Sequence, residues 1–306
     1  MEITLIVEPG DSRQYRSLRF AEKHGFDFIV VTDHNTTSQN DFSFDKPDLM
    51  VIPGMELSTH RGHMNFLGVK EPIEEFRVLD EEGLERQIAT AHERGALAVL
   101  NHPFKPPSVW EYGYEVWNGP WSSCNLSALR WWQDRPAAGE RIVAVGGSDS
   151  HGSKKAYALN DESSHQIPTT WINSESRSVQ GLLDNIRKGH LFITYVPDCP
   201  FIDLKGPSGG IMGDPAVDGK AEILVMSLRK SDIVKIVSED GCPAEKTRSC
   251  LFESEAPIPG RSFLRVEVWR KIEIILDENR DLVIRDRAGI IRDPEEYVMA
   301  FLSNPL

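Results

Sequence analysis

The sequence predicts an α/β fold in which buried parallel strands bring their C-terminal ends to one rim of a barrel. Three observations lead there. Phe28 to Val31 is an apolar run, three of its residues β-branched, that passes straight into Thr-Asp-His-Asn at Thr32 to Asn35. The same grammar returns in VIPGME ending at Glu56, ALAVLNH ending at His102, and IVAVGGSDSH carrying Asp149 and His151. Segments of helical periodicity separate these runs, so strands alternate with helices, the pattern of a parallel barrel with its chemistry on the rim.

The elements follow in order. Glu2 to Val7 reads as the first strand, closed by Pro9-Gly10, and a helix through Tyr15, Leu18 and Ala21 stops at Gly25. Thr36 to Asp48 is polar and turn-rich, a loop placed beside His34 to contact a substrate. His63 to Gly68 alternates as a strand, with His63 and Asn65 on one face and Met64 and Phe66 on the other. Asp80 to Arg94 is an amphipathic helix stopped by Gly95, Ala96 to Asn101 a strand ended by His102-Pro103, and Glu115 to Asn118 a further short strand. A helix over Trp121 to Asp134 precedes the strand Ile142 to Val145, and strands at Thr169 to Ile172 and Leu191 to Tyr195 flank a helix over Val179 to Lys188. Beyond Pro197 the texture turns to short strands with Gly and Pro turns and no histidine, which predicts a barrel domain over 1–197 and a small β-sandwich-like domain over 198–306.

Composition narrows the function classes. At 306 residues and 40% hydrophobic the chain can bury a full core. A net charge of −13 argues against a nucleic-acid or anionic-membrane surface, since both reward clustered Lys and Arg. Cys124, Cys199, Cys242 and Cys250 form no CxxC pair, so zinc knuckles and thioredoxin-like chemistry are not suggested. Met1 to Gly10 has no basic start and no run reaches the roughly 18 apolar residues of a membrane span, so a cytoplasmic protein is expected.

Carboxylates and imidazoles on separate strands converge naturally on a multinuclear metal site. The motifs TDHN at Thr32 to Asn35, PGME at Pro53 to Glu56, GHMNFLG at Gly62 to Gly68, NHP at Asn101 to Pro103 and GGSDSH at Gly146 to His151 resemble the polymerase and histidinol phosphatase (PHP) superfamily. WNG at Trp117 to Gly119 and the terminal LRVEV and LSNP resemble its carbaryl-hydrolase-like branch. The resemblance implies a distorted (βα)7 barrel with up to three divalent ions (Mn, Zn or Fe) at its rim, held by His34, Glu56, His63, His102, Asp149 and His151, with Glu56 as a bridge. On the His63 strand the ligand of related sequences can instead fall at Asn65, and Asp33 orients a neighbour rather than binding metal. It further implies a hydrolase of small phosphoesters, or of related esters or amides, using a metal-bound hydroxide, with His151 or His63 assisting the leaving group as a protonated imidazole.

One departure bears on this. Family members open with His-x-His and Ser-Asp-Gly, whereas here the pair would fall near Glu2 and Thr4 and the acidic ligand near Glu8. Either the start is shortened or misassigned, or Glu2 or Glu8 partly substitutes; under both accounts one of the up to three metal positions is affected. The same departure motivates an alternative, a catalytically weak metal-binding homologue with a regulatory or scaffolding role. His24, His92, His165 and His190 receive no function, His60 is weighed as loop polarity, and Asn118 faces the rim or caps the following helix. Arg61, Lys105 and Lys154 are candidate phosphate partners by position.

Overall fold

In the computed structural model the described residues are 2–6, 18–41, 48–60, 62–73, 77–78, 80–103, 113–119, 121, 123–137, 140–149, 168–197, 200–215, 219–238, 244–246, 250–258, 263–271 and 297–305. Strand β2 (Phe28–Val31) lies between β1 (Glu2–Ile6) and β3 (Met50–Thr59), parallel to both. All four β2 residues are buried because each face has its own partner. Phe28 and Val30 join the main core, while Ile29 and Val31 pack with Leu18, Phe20 and Ala21 of helix α1 (18–23) in a smaller cluster. The apolar run without alternation reports this two-sided burial.

From β3 the chain turns back directly into β4 (Gly62–Leu67), antiparallel to it, and β5 (Leu97–Leu100) is antiparallel to β4. Helix α2 (Glu81–Glu93) connects β4 to β5; the Asp80 carboxylate accepts from the Gly83 amide to cap it, and Leu84, Ile88 and Ala91 are buried. Strands β6 (Gly113–Asn118) and β7 (Ala144–Gly147) continue in parallel, joined by α3 (Ser123–Ala137), which buries Trp132. On the far side of β1 come β8 (Thr169–Ile172) and β9 (Leu191–Thr194), antiparallel and linked by α4 (Val179–Lys188). A left-handed Gly189 ends that helix, as a C-terminal glycine does.

Here the structure corrects the predicted fold class. The described residues hold four helices and sixteen strands, and no closed (βα)7 barrel forms. Thirteen strands make one open mixed sheet ordered β13-β12-β15-β16-β9-β8-β1-β2-β3-β4-β5-β6-β7. A parallel barrel needs a crossover between every pair of neighbouring strands. The tight β3–β4 turn and the antiparallel pairs β4–β5, β1–β8 and β8–β9 break that rule.

The expected C-terminal sandwich is corrected too. Strands β12 (Ile233–Val237), β13 (Ala244–Lys246), β15 (Arg265–Lys271) and β16 (Tyr297–Ser303) extend the large sheet, because β16 pairs with β9. Among the described residues, only β10 (Phe201–Lys205), β11 (Gly219–Met226) and β14 (Leu251–Ile258) form a second, antiparallel sheet. Alternation along a strand shows that one face is buried, not which neighbour it joins.

A single side chain ties β7 to β9. Buried Asn304 accepts from the Ala144 amide at 2.9 Å and donates to the carbonyls of Ala144 and Leu191 at 3.0 and 3.1 Å. Asn304→Ala orphans these buried groups and is expected to cost about 2–3 kcal/mol, read from urea midpoints at unchanged m. A shift under about 0.5 kcal/mol contradicts the clamp.

Candidate metal centre

The site forms where β2, β3, β4 and β5 present one shared face. Glu56 lies directly opposite Asn65, Ser58 opposite His63, and the Asn101 amide donates to the His63 carbonyl at 3.0 Å. Opposed residues of an antiparallel pair project to the same side, so Glu56, Ser58, His63 and Asn65 share a face, and Met64 and Phe66 lie buried on the other. The alternation read at His63 to Gly68 is realised here.

His34 reaches this face because the chain beyond β2 is stitched to β3. Asn35 N–H donates to the Glu56 carbonyl at 2.8 Å, and Glu56 N–H to the Asp33 carbonyl at 3.0 Å. The Asn35 side chain then imitates a strand, accepting from Ser58 N–H at 2.9 Å and donating to the Ser58 carbonyl at 3.1 Å. Gln39, buried in the loop after His34, donates to the Val31 and Gly54 carbonyls. Gly54 permits the close approach: a β-carbon there would lie 2.7 Å from Thr32 Cγ2 and 3.1 Å from the Val31 carbonyl oxygen.

The resulting cluster is tight. Donor atoms of His34, Glu56 and His63 all lie within 4.8 Å of one another. The His63 imidazole hydrogen-bonds Glu56 Oε1 across 2.7 Å, and His34 Nδ1 sits 3.7 Å from Glu56 Oε2 and 2.5 Å from Ser58 Oγ. Glu56 is 1% exposed, and its Oε2 accepts no hydrogen bond among the described residues. His102 joins at the edge, its ring centroid 5.1 Å from that of His63.

Strain marks the same place. Asn35, His102 and Asp149, just past the ends of β2, β5 and β7, have φ of 54°, 31° and 47°. A left-handed backbone is uncommon for residues with a β-carbon, although Asn, Asp and His adopt it most readily, and Ser208, Ser227 and Ser231 share it away from the cluster. The structure thus brings His34, Glu56 and His63 together, sets His102 beside them, and leaves Asp149 outside the three-residue group. Asn65 is buried opposite Glu56, with its Oδ1 accepting no hydrogen bond among the described residues. Glu2 begins β1; Glu8, Arg61, Lys105, His151 and Lys154 lie outside the described residues. His60 is exposed in the β3–β4 turn.

Glu115 was not singled out from the sequence. It is 3% exposed, and its Oε2 accepts from His102 N–H at 2.9 Å and from the Asn118 side-chain amide at 3.0 Å. Burial pushes its carboxyl well above the ordinary range, helped by the charges of Asp149 and Glu56 and opposed by those two hydrogen bonds. The Asn118 side-chain amide thus donates to Glu115, and Asn125 of α3 accepts from Asn118 N–H at 3.0 Å.

The raised Glu115 carboxyl has a pH consequence. The folded chain keeps this proton at pH values where the unfolded chain has released it, so the stability it contributes is present at low pH and lost as pH rises through the folded value. Stability measured by urea melts in chelator, as pH rises from the ordinary carboxylate range, should therefore fall more steeply for the wild type than for Glu115→Gln. Parallel slopes would contradict the assignment.

No protein-family model and no curated protein sequence matches this chain. Among solved structures it is similar to the crystal structure of PsfC from Pseudomonas syringae PB-5123. The two share 17% identity over 61% of this chain and 86% of that one, at a TM-score of 0.38, a likeness too distant to bear on function. No helix among the described residues is long and apolar enough to cross a membrane.

Proposed function

We propose that the protein is a divalent-metal-dependent hydrolase of small phosphoesters, or of related esters or amides, as its resemblance to the PHP superfamily implies. The observation that carries this reading is the His34–Glu56–His63 cluster, with its buried carboxylate oxygen lacking a donor. Two imidazoles and a carboxylate are a donor set suited to Zn, Mn or Fe, and a cation there would satisfy the Glu56 oxygen that has no donor among the described residues. When bound, such an ion polarises a phosphoryl or carbonyl oxygen and lowers the pKa of water.

The chain's own residues supply the rest. Ser58 Oγ bonds His34 Nδ1, the nitrogen that also lies nearest Glu56, and so restrains the ring beside the carboxylate. His63 and His34 are each about one-third exposed on a buried Glu56, so the cluster opens to solvent on the imidazole side. Substrate enters from that side. His102, whose ring packs against His63 at the edge, would add a further ligand, and His63 would hand a proton to a leaving group if unligated.

The alternative, a metal-binding homologue of weak activity with a regulatory or scaffolding role, draws on β1. That strand is in place, parallel to β2, yet EITLI offers no imidazole. Metal titration with turnover on phosphomonoesters, phosphodiesters and aryl esters separates the readings. The hydrolase reading expects turnover that chelator removes and Mn2+ or Zn2+ restores. Tight metal binding without hydrolysis of any class favours the alternative, and no metal binding defeats both.

A further inference from the structure

We infer that Glu115 is a positioning residue for the metal centre: from β6 its carboxyl oxygen Oε2 grips the His102 backbone, holding that imidazole against His63. The inference rests on the metal-dependent reading above and adds a residue to it.

The first link is His102. It follows β5 directly and adopts φ 31°, a conformation its β-carbon disfavours, so the surrounding structure must hold it there. Its ring nevertheless packs edge-on to His63 with centroids 5.1 Å apart, and a modest rotation of the backbone would swing it away. Its amide donates to Glu115 Oε2 at 2.9 Å, which fixes the backbone at this point. Oε2 is held in turn by the Asn118 amide at 3.0 Å, and the Asn118 backbone by Asn125, 1% exposed on α3. A polar strut thus runs from Asn125 through Asn118 and Glu115 to His102.

Its composition suits positioning better than filling. A leucine would occupy the same volume at 3% exposure without the cost of a buried acid, so the carboxylate is retained for what it accepts. Both donors converge on one oxygen, and a glutamine could present an amide oxygen there equally well. Acceptance, not charge, is therefore the property to be tested.

In the metal-loaded full chain, Glu115→Leu is expected to weaken Mn2+ affinity about 10–100-fold, the range for outer-shell partners of ligands, with Glu115→Gln restoring it to within a few-fold. His102→Ala should weaken it too, and adding Glu115→Leu to it should cost nothing further, since the strut acts only through His102. Independent losses that multiply, or a Glu115→Leu protein that melts earlier yet binds Mn2+ as tightly as wild type, overturn the inference and assign Glu115 to stability alone.

A second arm needs no metal. In chelator, hydrogen exchange of the His102 amide should accelerate in Glu115→Leu and stay slow in Glu115→Gln; unchanged exchange in both overturns the strut. If the wild type binds no ion, the hydrolase reading fails while this arm still decides the strut. Should Glu115→Leu not fold, Asn118→Ala, which leaves the carboxylate but deletes its second donor, is expected to give a smaller loss of affinity with faster His102 exchange. No change in either measurement then overturns it.

Discussion

Glu56→Gln is expected to remove metal-dependent turnover by about 10³-fold or more while leaving the metal-free protein no less stable than wild type. The two halves have separate causes. Glu56 supplies both oxygens at the centre of the cluster, Oε1 bonded to His63 at 2.7 Å and Oε2 facing His34 at 3.7 Å. Glutamine keeps one oxygen, replaces the other with an NH2 group that cannot ligate, and deletes the charge balancing a cation. A loss of about 4 kcal/mol of transition-state stabilisation corresponds to that factor, at roughly 1.36 kcal/mol per tenfold.

Stability should move the other way. A carboxylate oxygen buried with no donor among the described residues is a cost carried for function, and the amide is cheaper to bury. Two measurements check this: kcat/KM on the most active ester class with Mn2+ added, and melting in chelator. Metal-stimulated turnover surviving in Glu56→Gln would remove Glu56 from the centre. A lower metal-free melting temperature would show that the carboxylate belongs to the fold instead.

The parts of this site that could be read from sequence share a property. His34, Glu56 and His102 each close or follow an apolar run, and a polar ligand-type side chain in that position contrasts sharply with its neighbours. His63 and Asn65 were legible as a same-face pair because period-two alternation fixes parity within one strand. Glu115 was hidden by the same alternation. In GYEVWN a glutamate between apolar residues looks like the solvent-facing half of a strand. Only the His102 amide approaching from β5 shows that this face is internal.

Strand direction was hidden for a related reason. The alternation of β4 is identical whether it runs parallel or antiparallel to β3, so the tight Thr59–Gly62 turn, not the pattern, sets the open mixed sheet. Strand β14 escaped because its inward positions, Phe252, Ser254 and Ala256, include two small side chains, and its Pro257 suits the edge strand it proves to be.

The edge of the large sheet farthest from the candidate centre carries the second large effect. Asp232, fully buried at the entry to β12, meets Arg270 of β15, 1% exposed. Arg270 Nη2 donates to Oδ2 at 2.9 Å and Nε to Oδ1 at 3.1 Å, while the Arg229 backbone amide adds a bond to Oδ2 at 2.8 Å. The carboxylate thereby latches the turn before β12 onto β15. Asp232→Ala leaves a buried guanidinium without its carboxylate and should cost about 3–5 kcal/mol, whereas the paired change Asp232→Leu with Arg270→Met should cost far less, since desolvation offsets most of what an intact buried pair contributes. Urea denaturation of the two variants decides it. A single-mutant loss below about 1 kcal/mol, or a double mutant as damaged as the single, would mean that the pair is solvated in solution and that β12 is held by its ladder to β15 and its apolar face alone.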